Sequence, residues 1–126
     1  MIILSAAIAA SLIFNQPDGK IPTTMVEGDR KFYAGKYECT AYESTGNPCA
    51  DGVYPCEGVT VASNDPQLWH KVIELKGTGT EWDGLYYVHD TGGMANNVID
   101  IYIDDYSECI EFGRRKDVEV YFFEEE

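Results

Sequence analysis

Carboxyl groups are the chemistry this sequence has most of: 22 Asp and Glu stand against 9 Lys and Arg and 2 His, a formal charge of −13. Most belong to a solvated surface, but three aspartates stand out by position. Asp65 lies in Asn64-Asp65-Pro66, Asp90 in His89-Asp90-Thr91-Gly92-Gly93, and Asp100 in Ile99-Asp100-Ile101-Tyr102. A carboxyl group held among apolar neighbours keeps its proton towards neutral pH, and can give that proton up and take it back as general acid and base. Val98, Ile99 and Ile101 supply such neighbours to Asp100, and further carboxylates close by would raise its pKa again. Each motif also has an ordinary reading. Asp65-Pro66 and Asp90-Thr91-Gly92-Gly93 are turn sequences, in which Asp caps and Gly supplies positive φ. Asp100 is harder to explain away, because strand interiors disfavour Asp; its ordinary reading is an outward face in contact with water.

The other reactive side chains point to less. The two histidines, His70 and His89, lie at no familiar metal-ligand spacing and there is no C-x-x-C, so neither a zinc site nor any other metal or cofactor is expected. His89 reads as a packed or surface imidazole rather than a base, and Arg114 and Arg115 as partners for surface carboxylates. Four cysteines, Cys39, Cys49, Cys56 and Cys109, allow three disulfide pairings. The turn between Cys49 and Cys56 favours joining those two, which leaves Cys39 with Cys109.

The elements that must position these groups are short. Lys31 to Tyr42 reads as one or two strands, Gly58 to Ser63 as another, and Leu68 to Leu75 alternates as a third. Gly84 to Asp90 is a strand ending in the Thr91-Gly92-Gly93 turn. Val98 to Ile103 is the most informative segment: Ile99, Ile101 and Ile103 share one face, which must be the core, and Val98, Asp100 and Tyr102 share the other. Tyr106 to Phe112 reads as a short helix capped by Gly113, and Val118 to Phe123 as the last strand. Short strands with little helix, broken by Gly, Pro, Asn and Asp, predict an all-β barrel or sandwich.

In order, the pieces Thr40-Ala41-Tyr42, Val61-Ala62 with Asp65-Pro66, Tyr87-Val88-His89-Asp90-Thr91-Gly92-Gly93, Ile99-Asp100-Ile101-Tyr102, Phe112-Gly113-Arg114-Arg115 and Val118-Glu119-Val120-Tyr121 resemble the three-aspartate (3D) domain of cell-wall-lytic proteins, across about residues 37–122. That family is related to the catalytic barrel of the membrane-bound lytic transglycosylase A type. The resemblance implies a six-stranded double-psi β-barrel with one short helix. It also implies cleavage of the peptidoglycan bond between N-acetylmuramic acid and N-acetylglucosamine, with a 1,6-anhydro sugar as product. An ordinary glycosidase needs two carboxyl groups. Here the muramic acid's own C6 hydroxyl attacks, so one carboxyl suffices: it protonates the leaving oxygen and then takes the C6 hydroxyl proton. By resemblance that acid is Asp100, with Asp65 and Asp90 in the same groove. Gly92 and Gly93 would let backbone approach the glycan, Thr91 belongs to the same turn, and Tyr42, Tyr87 and Tyr102 are candidate sugar contacts. The chain departs from the family after Asp65-Pro66, where Gln67-Leu68-Trp69-His70-Lys71 replaces the usual Ile-Pro-Leu-Gly, and after the glycine pair, where Met94-Ala95-Asn96-Asn97 stands.

His89-Asp90-Thr91-Gly92 also resembles the Asp-Thr-Gly of aspartic proteases, with Gly113-Arg114 as the following motif of the dimeric retroviral type. The two motifs are too close together for the strands of that fold, and His precedes Asp90 where an apolar residue is required. The strong negative charge argues against nucleic acid and anionic membrane surfaces, which need clustered positive charge. By the resemblance, the partner expected is a peptidoglycan glycan strand. Two other readings compete: a non-catalytic, expansin-like carbohydrate-binding barrel, and an inhibitor or immunity-type acidic protein with a basic partner.

A length of 126 residues is one domain. Residues 1–30 are read as an apolar segment, Ile2 to Phe14, with a linker, and 31–123 as the barrel. That segment suits the hydrophobic region of an export signal or an N-terminal anchor, although no Lys or Arg precedes it; the alternative is an element packed on the domain. Export to the cell wall, periplasm or exterior is the expected localisation.

Overall fold

The computed structural model describes residues 19–125. Six strands, β1 (Arg30–Tyr42), β2 (Thr60–Ser63), β3 (Val72–Lys76), β4 (Gly84–Asp90), β5 (Val98–Tyr102) and β6 (Arg115–Glu124), close into a barrel in the order β1-β5-β2-β4-β3-β6. Among the described residues one α-helix, α1 (Tyr106–Phe112), joins β5 to β6. The pairs β1·β5 and β2·β4 are parallel and the other four antiparallel. The chain thus forms the all-β, six-stranded barrel with one short helix expected of it. The apolar segment Ile2 to Phe14 lies outside the described residues. Among those described, no helix is long and apolar enough to cross a membrane.

Alternation along the strands builds the core. Ile99, Ile101 and Ile103 point inward and are fully buried, as are Ile73 and Leu75 of β3 and Val118 and Val120 of β6. β1 is a single strand, and it bends at register shifts between Tyr33 and Gly35 and between Tyr37 and Cys39. Gly35 carries φ +126°, a conformation that L side chains rarely adopt. Of the third expected strand, Leu68 to Leu75, only Val72–Leu75 lies in β3, which runs on to Lys76; Leu68 ends a turn of 3-10 helix, Pro66–Leu68, instead. Asp105 caps α1 by accepting from the Glu108 N–H at 3.0 Å, and Gly113 ends it at φ 64°.

The cysteine expectation is corrected. Neither Cys49–Cys56 nor Cys39–Cys109 is formed, and all four thiols are free. Cys39 is fully buried in the barrel wall, and the Cys109 Sγ donates to the Ile103 carbonyl at 3.2 Å. Burial, with the charges of Asp83 and Asp100 behind it, pushes the Cys39 thiol up to about 12.

Candidate functional site

Register decides which side chains meet. On β5, Asp100 pairs with Thr40 of β1 on one side and Ala62 of β2 on the other, and Ala62 pairs in turn with Asp90 of β4. Thr40, Asp100, Ala62 and Asp90 therefore form one row across four adjacent strands. Inward-facing Val61 pairs with Val88, and simple alternation from there would not set Asp90 opposite Ala62. A register shift between Val61 and Ala62 does so, turning Asp90 onto the outward face. The two carboxylates stand two strands apart, about 10 Å between backbones, with the small Ala62 as the floor between them.

The outward face of β5 is not open to solvent. Val98 and Tyr102 flank Asp100 and are buried, and Asp100 itself is half-buried. The cover is the loop of residues 43–59, which supplies Thr45, Asn47, Pro48 and Pro55 to the wall of a cleft of about 260 Å³. Tyr42, Ala62, Asp90, Thr91, Gly92 and Asp100 complete its lining.

Asp100 accepts a hydrogen bond from the Thr40 hydroxyl at 2.9 Å. Burial raises its pKa, the Thr40 bond works against that, the charge of Asp90 raises it again, and Arg114 lowers it; the net direction is upward. Arg114 is held by an ion pair with Glu38, the surface pairing expected of it. Arg115 instead donates to the Phe112 and Thr78 carbonyls, at 2.9 and 3.3 Å. Asp90 is surrounded by donors: the Tyr42 hydroxyl at 3.0 Å, the Ala50 N–H at 3.0 Å and the Thr91 N–H at 2.9 Å, with the Cys49 thiol beside it. Burial comes first in raising the Tyr42 hydroxyl, followed by the Asp90 charge. Gly92 is held by Asn64, whose side-chain N–H groups donate to the Gly92 and Met94 carbonyls at 2.7 and 2.6 Å. The same amide's Oδ1 accepts from the Gly92 N–H at 3.2 Å.

Several expected site residues lie elsewhere. Asp65 does not line the cleft. Tyr37, an inward-facing core residue, donates its hydroxyl to the Asp65 carboxylate, and Gln67 donates to it from backbone and side chain, each at 3.1 Å. Asp65 is thereby drawn to the barrel end, where it caps the Pro66–Leu68 turn. Tyr102 is buried with its ring edge against Tyr42, 5.5 Å between centroids. Tyr87 is buried in a separate cluster and stacks between His70 and His89, at 5.8 and 5.4 Å. Gly93 is exposed and outside the cleft lining. His89 is fully buried, a packed imidazole as expected.

Of the expected residues, the structure brings together Asp90, Asp100, Tyr42, Thr91 and Gly92. Thr40 and Ala62 belong with them. The alternation in Thr40-Ala41-Tyr42 already puts Thr40 on the face of Tyr42, but nothing in the sequence sets it opposite Asp100. Among the described residues, no group of three His, Cys, Asp or Glu side chains is arranged to hold a metal ion.

No protein-family model matches the chain, and no curated protein matches it.

Proposed function

We propose that this barrel cleaves peptidoglycan glycan strands as a lytic transglycosylase, with Asp100 as its single acid and base. The reading rests on the resemblance of residues 37–122 to the three-aspartate domain, whose double-psi barrel also has six strands, and on one observation. Asp100, the half-buried carboxyl whose affinity for its proton is raised, lines a cleft beside a second carboxylate. In this reading the Asp100 proton passes to the glycosidic oxygen as the bond to the muramic acid C1 breaks. The C6 hydroxyl bonds to C1, and its proton returns to Asp100, so the enzyme ends as it began. Thr40 orients the acid. Asp90, its oxygens taken up by protein donors, contributes negative charge rather than proton transfer. Because this chemistry needs one carboxyl, the placement of Asp65 at the barrel end does not remove it. Export to the wall follows from the same reading.

A second reading is a barrel that binds wall glycan without cutting it, since the donors around Asp90 make it a carboxylate held by the protein itself and a fold does not fix a function. Incubation with purified sacculi separates the two. Anhydro-muropeptides detected by mass spectrometry, lost with Asp100→Asn, are the expected result. Sedimentation with sacculi without products would support the binder, and neither binding nor products would refute both.

A further inference from the structure

Asp51 lies outside the cleft, on the loop that covers it, and has the most connected carboxylate on that loop. Its Oδ1 is 3.1 Å from His89 Nδ1 and accepts the Val53 N–H at 3.0 Å; its Oδ2 is 3.6 Å from His70 Nε2. Both imidazoles belong to the barrel side. His89 is the fully buried penultimate residue of β4, and its Nε2 is 2.8 Å from the Thr60 hydroxyl of β2. The bonds close when His89 carries its proton on Nδ1: Nδ1–H donates to Asp51, and the Thr60 hydroxyl donates to Nε2 while accepting from the Cys56 N–H at 2.9 Å. The rings are held in turn by stacking in the order Trp69, His70, Tyr87, His89, with centroids 4.3, 5.8 and 5.4 Å apart. The loop itself is tightened around Asp51 by Cys49 N–H to the Val53 carbonyl and Gly52 N–H to the Cys49 carbonyl, at 2.8 and 2.9 Å.

The consequence lies one residue away. Asp51 follows Ala50, whose N–H bonds to Asp90, and Cys49, whose thiol lies beside Asp90; Asn47 and Pro48 of the cleft wall come just before. Fastening Asp51 to β4 therefore fixes the loop's own donors to Asp90, Ala50 and Cys49, and the wall of the cleft that the loop supplies. We propose that Asp51 is a positioning residue: with His70 and His89 it clamps the 43–59 loop shut over the Asp90–Asp100 cleft, and the cleft keeps its shape only while that clamp holds. This deepens the proposed glycan site and rests on it for the identity of the ligand, but the clamp itself is testable without any ligand.

The experiment is amide hydrogen exchange on the full chain, comparing wild type with Asp51→Asn and Asp51→Glu. Asn keeps the shape and loses the charge, and avoids cutting into the buried His89. The expected result is exchange at Cys49, Ala50, Gly52 and Cys56 faster by roughly tenfold or more in Asp51→Asn, the loss of charge-assisted bonds. Amides of β2 and β5 should keep their wild-type rates, and Asp51→Glu should restore part of the loop's protection. Unchanged loop exchange overturns the clamp. So does equal acceleration in loop and barrel, since that makes Asp51 a contributor to global stability only. A second arm measures sedimentation with purified sacculi. Wild type that neither binds nor releases anhydro-muropeptides refutes the glycan reading and leaves the exchange result standing. Wild type that binds while Asp51→Asn binds several-fold more weakly supports both. Equal binding by the two proteins, with a loosened loop, overturns the claim that the clamp shapes the site.

Discussion

Asp100 is held in conflict. Thr40 and Arg114 favour its charged form, while burial and Asp90 oppose it, and the opposition prevails. An acid whose folded pKa lies above its unfolded value binds more protons in the folded state, so stability falls as pH rises through the interval between the two values. Asp100→Asn removes that loss while its amide oxygen can still accept from Thr40. The variant should therefore be at least as stable as wild type at neutral pH, and its advantage should shrink as pH falls through that interval and be gone below the ordinary carboxylate range. Denaturant titrations at several pH values check this. The same substitution should lower anhydro-muropeptide release by roughly 10²–10⁴-fold, the usual contribution of a general acid and base. A variant that is stabilised and inactive is the signature of a functional residue rather than a structural one. Tyr42→Phe probes the neighbouring carboxylate. It deletes one donor to Asp90 in a half-buried site and should cost about 1–3 kcal/mol in chemical denaturation.

β5 matters more than any other element because it does two jobs with one alternation. Its inward face, Ile99 and Ile101, is core, and its outward face carries Asp100 into the covered cleft. Ile101→Ala should cost about 2–5 kcal/mol, read from equilibrium unfolding, since the methylenes it removes touch packed neighbours on every side. α1 is a simpler case. Its length of 7 residues is too short to stand alone, so its cap counts, and Asp105→Ala should cost about 1 kcal/mol by the same measurement. The strands were largely legible from period-two alternation, and α1 from Gly113 at its C-terminal end. The bend in β1 and the register shift beside Ala62 were not. A bulge inserts one residue against a partner strand, and the partner is fixed only by tertiary pairing.

For the whole molecule, a net charge of −13 means that carboxylates repel one another across the surface. Salt screens that repulsion, so thermal stability should rise as ionic strength goes from about 10 mM to 150 mM, where the screening length drops from about 30 to 8 Å. Scanning calorimetry at both salt concentrations checks it, and a Tm that fell would mean that ion pairs such as Lys31–Glu74 outweigh the repulsion. The barrel also holds without covalent cross-links. Denatured, non-reduced protein should titrate four thiols, and the native Tm should not respond to reductant. The cysteine count allowed pairs, but pairing requires close Cβ atoms, a distance no spacing along the chain can supply.

The sequence by itself determined the local facts: which segments alternate, which face of β5 is apolar, that Asp100 sits on the opposite face, and that the chain carries a large excess of carboxylates. Those follow from side-chain chemistry and a fixed repeat along the backbone. Only the tertiary structure decided which carboxylates meet. It set Asp90 beside Asp100 through a register shift and surrendered Asp65 to Tyr37. It also folded the 43–59 loop over the outward face of β5. Each of these is an encounter between residues far apart in the chain, governed by strand order and closure, and such encounters leave no periodic mark on the sequence.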